Sequence, residues 1–144
     1  YKRQAMVDQN CAYCMEGELV AKFGIKICEL ETSKVYLFKE QSHPGRCIVA
    51  HKKHVGDMNE LTAEERAAYF EDVARVARAI MKAFNPDKVN YGAYGDTGHH
   101  LHFHLCPKYK DEYEWGGVFL MNPDKKYLTD AEYTEMIEKI KANL

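Results

Sequence analysis

Residues His100-Leu101-His102-Phe103-His104-Leu105 alternate imidazole and apolar side chains without a break. A helix would scatter these six side chains around its circumference. A strand, with its side-chain period of two, sorts them onto two faces. The stretch His100–Cys106 is therefore read as a strand with His100, His102 and His104 on one face, about 7 Å apart at each step of two residues. Leu101, Phe103 and Leu105 share the other face and bury beneath a helix. Packing does not require three imidazoles in a row: His has only an intermediate preference for burial and titrates near neutrality, so such a row is costly unless it is used. Three uses remain open from the residues alone. They are a polar stripe on an exposed sheet face, a catalytic metal site made of all three imidazoles, and nucleophilic catalysis by one imidazole that its neighbours orient.

The rest of the chain supplies what that strand needs. Gly24 to Glu31 alternates polar and apolar residues as a half-buried strand does. Lys34 to Lys39 follows as a second strand, and Arg46 to Ala50, after the Ser42-His43-Pro44-Gly45 turn, as a third. Thr62-Ala63-Glu64-Glu65 has the form of a capping box opening a helix. That helix carries Phe70, Val73, Ala77, Ile80 and Phe84 as one buried stripe and ends at Asn85-Pro86. Lys88 to Tyr94 makes a fourth strand, joined to the histidine strand through the Gly95-Asp96-Thr97-Gly98 turn as a hairpin. A second capping box, Thr129 to Glu132, opens a C-terminal helix with Tyr133, Met136, Ile137, Ile140 and Leu144 along one face. Between them Lys108 to Leu128 is an ordered loop. The sum is an α+β domain, an antiparallel sheet of about five strands with helices on one face. It is a single domain over 1–144, with a core of about 11–108 and a C-terminal loop and helix at 109–144.

A net charge of −2 gives no case for duplex nucleic acid or an anionic membrane as main partner. No apolar run is long enough for a transmembrane helix, and Tyr1 to Asn10 has no apolar core of the secretory kind. Five cysteines, an odd number, fit reduced thiols and a cytoplasmic setting. Cys28, Cys47 and Cys106 read as small core residues. Cys11-Ala12-Tyr13-Cys14 is different. A redox dithiol would need a strand-to-helix turn in a βαβ setting, so the pair is read as two zinc ligands that require two more. His43 reads as an exposed polar residue, and His99 as either exposed or flanking a phosphate. Tyr36 and Phe38 are either core or the wall of a base pocket. Trp115 belongs to local packing or to an interface.

The histidine strand with the turn before it resembles the signature of the histidine triad (HIT) family, in which three histidines are separated by apolar residues. Asn90, the Gly95-Asp96-Thr97 turn, and the segment from Pro44-Gly45 to Lys53-His54-Val55 are similar to other family landmarks in order and spacing. The resemblance runs from about Cys11 to Lys108. It implies a HIT-like fold and a nucleotide hydrolase or transferase acting at the α-phosphate of a nucleoside phosphoramidate or dinucleoside polyphosphate. His102 would be the nucleophile, forming a transient nucleotidyl-histidine. His104 would touch the α-phosphate and the leaving group, and Asn90, Asp96 and Thr97 would bind phosphate. The partner would be a purine nucleotide or nucleotide conjugate, with two chains forming a homodimer. Zinc-containing members are similar in having a structural zinc, which here would be held by Cys11, Cys14, His54 and His100, with His51 as rival to His54. The sequence departs from the family pattern in several places. Asp96 stands for the usual Gln, and Arg46 for the His after Pro-Gly. His51 stands for the Pro before Lys-x-His. Only Lys39 or Glu40 lies near the place of the ribose-binding Asp. Two other classes remain, a nucleotide-binding regulatory module with little turnover and a metal-dependent hydrolase using the three histidines as ligands.

Overall fold

The computed structural model describes residues 9–144. The stretch assessed for a leader, Tyr1 to Asn10, lies mostly outside the described residues. In chain order the elements are α1 (Ala12–Met15), α2 (Glu18–Ala21), β1 (Gly24–Glu29), β2 (Ser33–Phe38), β3 (Cys47–His51), α3 (Ala63–Phe84), β4 (Lys88–Gly92), β5 (His102–Lys108) and α4 (Asp130–Ala142). A short 3-10 turn, Met58–Glu60, precedes α3.

The five strands form one sheet in the order β1-β2-β3-β5-β4, with every neighbouring pair antiparallel. The histidine strand β5 is therefore interior, with Ile48 facing His104 and Ala50 facing His102 across β3. Opposed residues of an antiparallel pair share a face. Tyr36, Ile48 and His104 thus line up on one side of the sheet.

The other side carries the main core. Val35, Leu37, Cys47, Val49, Leu101 and Leu105 pack against Tyr69, Val73, Val76 and Ile80 of α3 and Tyr133 and Ile140 of α4. Both expected capping boxes are present. Thr62 Oγ1 accepts from Glu65 N at 3.1 Å while Glu65 Oε1 accepts from Thr62 N at 2.8 Å, and Thr129 pairs with Glu132 in the same way. α3 stops at Asn85 in a left-handed conformation, just ahead of Pro86. The expected stripe is rotated slightly: Phe70 is 37% exposed and packs edge-on against Phe103, while Tyr69 and Val76 take the buried places. Tyr69 also donates to Val49 O at 2.7 Å, tying the helix to β3. Asp72 accepts from Thr32 N, Thr32 Oγ1 and Ser33 Oγ, which pins the β1–β2 turn to the same helix.

Helices cover both faces rather than one. On the histidine face α1 and α2 contribute Tyr13 and Val20 to a smaller cluster with Tyr36, Phe38, Ile48 and Ala50. The β2–β3 connection is tight because Gly45 has φ +95°, and a Cβ there would lie 2.6 Å from Phe84 Cδ2. The long segment after β5 is strapped back onto this connection. Glu40 accepts from the amides of Lys125 and Lys126, and Gln41 N donates to Lys126 O. Lys108 Nζ holds the carbonyls of Glu114 and Gly117. No helix among the described residues is long and apolar enough to cross a membrane.

Candidate active site and metal centre

A cavity of about 900 Å³ opens on the histidine face. Its floor is His100, His102 and His104. One wall is α1 with Phe23, Phe38 and Ile48, another is Val118 to Asn122, and the rim carries Asp96, Thr97 and His99.

Strand β5 begins at His102, two residues later than the alternation suggests. His100 and Leu101 are held instead by β3 and the segment after it, since His51 N donates to Leu101 O and Leu101 N to Val55 O. This turns the three histidines to different tasks. His100 donates from Nε2 to His51 O at 2.5 Å, which leaves its Nδ1 with a lone pair. That nitrogen lies 3.3 Å from Cys11 Sγ, 3.5 Å from Cys14 Sγ and 3.2 Å from His54 Nδ1. Cys14 Sγ is 3.2 Å from His54 Nδ1. All four donor atoms fall within 4.8 Å of one another. Ligands bound to one tetrahedral zinc stand roughly 3.3–3.8 Å apart, so two sulfurs and two imidazoles at these separations fit that ion. His51, the rival, is not in the group. Its Nδ1 accepts from Lys53 N and its ring packs on Tyr69.

His102 donates from Nδ1 to His100 O at 2.7 Å. A carbonyl only accepts, so the proton is on Nδ1 and the lone pair on Nε2. Burial lowers its pKa, so the ring is neutral near pH 7. Tyr13 covers it, ring centroids 5.1 Å apart. His104 has the opposite arrangement. Arg46 Nη2 lies 3.1 Å from His104 Nδ1, and a guanidinium only donates, so the His104 proton is on Nε2. Burial first, then the Arg46 charge and His102, hold this imidazole down to about 3. The two rings stand 5.4 Å apart. One therefore offers an electron pair and the other a hydrogen-bond donor.

Asp96 and Thr97 line the cavity from its exposed rim. Asn90 pairs with Cys106 on the β4–β5 ladder and shares the sheet face of His104, but it is outside the residues that line the cavity. Neither candidate for the ribose carboxylate position reaches the cavity. Glu40 is buried, accepting from Ser42, Lys125 and Lys126, and Lys39 Nζ donates to Ala21 O. Phe38 lines the wall, whereas Tyr36 is fully buried with its hydroxyl on Glu16. His43 is a correction. It is 2% exposed, with Nε2 2.7 Å from Glu114 Oε1 and its ring against Tyr113, because the C-terminal segment folds over it. The residue that sequence reasoning missed is Arg46, which appeared there only as a departure from a pattern.

A five-stranded antiparallel sheet whose interior strand presents alternating histidines to a cleft defines the class of histidine-triad folds. The HIT domain family model matches residues 24–111, and the chain belongs to that family. The chain is 28% identical over 141 residues to adenosine 5'-monophosphoramidase of Schizosaccharomyces pombe, covering 92% of this chain and 99% of that one. A histidine triad protein from Sinorhizobium meliloti superposes with a TM-score of 0.81 at 23% identity, covering 89% of this chain and 95% of that one. A zinc-bound histidine triad family protein from Mycobacterium smegmatis superposes with a TM-score of 0.63 at 20% identity, covering 92% and 94%. These two likenesses show the shared fold.

Proposed function

We propose that the protein is a nucleotide hydrolase or transferase acting at the α-phosphate of a nucleoside phosphoramidate or dinucleoside polyphosphate. The observation that carries this reading is the opposed protonation of His102 and His104 on one cavity floor. The Nε2 lone pair of His102 attacks phosphorus as the bond to the leaving group breaks. The leaving group keeps that electron pair and takes a proton from solvent, to which the attacking water later returns one. Water then displaces His102 from phosphorus and restores the free imidazole. Splitting one displacement into two is the gain of covalent catalysis. His104 Nε2–H donates to a phosphoryl oxygen or to the leaving atom, where charge develops. Thr97 and the amides of its turn hold phosphate from the rim, while Asp96 sits beside them and Asn90 remains a more distant polar group. The similarity to a monophosphoramidase supports a purine nucleotide conjugate as substrate.

Cys11, Cys14, His54 and His100 would hold a zinc ion, which with four protein ligands is structural and leaves no position for substrate. This use of His100 argues against a three-histidine catalytic metal. So does the Arg46 cation beside His104. In the same reading two chains pair through the β4 edge, and the free thiols fit a reducing, cytoplasmic setting. The test is AMP release from adenosine phosphoramidate and from diadenosine tetraphosphate. His102→Ala is expected to lose at least about a thousandfold in rate while retaining AMP binding. An active His102→Ala protein ends the nucleophile assignment. A wild-type protein that binds AMP without turnover is the regulatory module instead.

A further inference from the structure

Arg46 is the largest fully buried side chain of the protein, at 0% exposure. No described carboxylate lies within ion-pairing distance of it. Its guanidinium is sandwiched between the rings of Phe38, 4.2 Å from Cζ, and Phe119, 4.8 Å. Nη1 donates to Leu120 O at 3.1 Å, and Nη2 to Met121 O at 2.9 Å and to His104 Nδ1 at 3.1 Å. Nε, also buried, has no partner. A charge buried without an ion-pairing anion among the described residues, and with one donor unmet, is a poor choice for stability. An apolar side chain of similar volume would fill the same space at less cost. What the guanidinium supplies that an apolar group cannot is a donor that can never accept, aimed at one nitrogen of one imidazole.

We infer that Arg46 is a positioning residue of this site. It fixes the proton of His104 on Nε2 and anchors the Leu120–Met121 segment that walls the cavity, so the hydrogen-bond-donating imidazole and the wall beside it are set by one side chain. Arg46 does not line the cavity itself, and it acts on the reaction only through His104 and this wall. Without it, His104 Nδ1 has no donor among the groups that face it. These are His102 on its own strand, Phe38 from β2, Ile48 from β3, Phe119 from the wall and Gly92 from β4. The imidazole is then free to place its proton on either nitrogen, and the Nδ1-protonated part of that population presents a lone pair where a donor is needed.

The catalytic part of this inference rests on the proposed reaction; the protonation part does not, and the two are measured separately. In the wild-type protein, the ring ¹⁵N spectrum of His104 is expected to report a neutral imidazole protonated at Nε2. In Arg46→Met, which keeps the volume and the aromatic sandwich, that preference is expected to disappear. The rate on adenosine phosphoramidate should fall on the order of 10- to 100-fold, the range seen when the partner that orients a functional imidazole is removed, mainly in kcat and less in KM. Arg46→Lys, which restores the charge and one donor, should recover part of each effect. The inference is overturned if wild-type His104 carries its proton on Nδ1, a result that needs no variant. It is also overturned if Arg46→Met, folded, keeps the Nε2–H form and the wild-type kcat. A wild-type protein with His104 protonated at Nε2 but no turnover would remove the proposed reaction and leave the positioning of His104 standing.

Discussion

His104 is held neutral by burial and by the Arg46 charge, with its folded-state pKa pushed down to about 3. In the unfolded chain the value is about 6.5. Above the unfolded value neither state binds the proton and the group leaves stability unchanged. Between the two values the unfolded chain holds a proton that the folded chain does not, so stability is lost as pH falls, by up to about 1.4 kcal/mol per pH unit. His104→Gln keeps an acceptor for Arg46 and removes this titration. Denaturant unfolding at pH 6.5, 5.5 and 4.5 should therefore show the wild type losing stability faster than the variant by about that slope, with metal-ligand protonation common to both. Parallel losses would mean that His104 titrates normally in the folded protein. Single residues were also where the sequence was least legible. Arg46 finds its carbonyl partners 74 and 75 positions away, and His43 its carboxylate 71 away. No local pattern encodes such contacts, so His43 reads as a surface polar residue and Arg46 as an anomaly.

At the scale of elements the sequence was easier to read, because α3 and α4 each bury one stripe at helical spacing and the strands are short apolar or alternating runs bounded by turns. The strand with alternating histidines was the plainest case, and even there the start was displaced, since Leu101 bonds outside the ladder that β5 forms. The four-residue helices α1 and α2 left no periodic trace. Pieces this short owe their form to contacts made by Tyr13, Val20 and the cysteine pair rather than to propensity. β4 raises a different question. It ends the sheet, no strand among the described residues lies beside its outer backbone groups, and Tyr91 on it is 51% exposed. An uncovered edge of this kind invites another strand. The proposed pairing of two chains predicts a particle of twice the 16.6 kDa chain mass in light scattering. Tyr91→Lys, which places a charge on that edge, should shift it toward one chain. A wild-type mass of one chain would remove the pairing.

Across the whole molecule, two clusters of unequal size sit on opposite faces of one sheet. The larger joins α3 and α4 to the strands through many apolar contacts. The smaller has six buried residues, and together with the Cys11, Cys14, His54 and His100 group and the polar contacts of Lys34 with Tyr13 O, Lys26, Lys34 and Tyr36 with Glu16, and Lys39 with Ala21 O, it fastens the 11–21 segment. Tyr13, lying over both His100 and His102, is part of that segment and of the cavity wall. Metal bound at this group would be linked to the order of the segment more than to the order of the sheet, because a ligand stabilises the states that contain its site. Stripping the metal with a chelator, or replacing one ligand with Cys14→Ser, should therefore raise amide exchange across 11–21 while leaving 63–84 protected. Turnover should fall in step as the wall beside His102 loosens, and added zinc should reverse both changes in the chelated wild-type protein. If exchange instead rises equally in α3 and α4, the metal supports the entire fold. If exchange in 11–21 is unchanged, the four residues do not hold a structural ion, and the apolar cluster with the Tyr13 and Glu16 contacts to β1 and β2 keeps α1 in place.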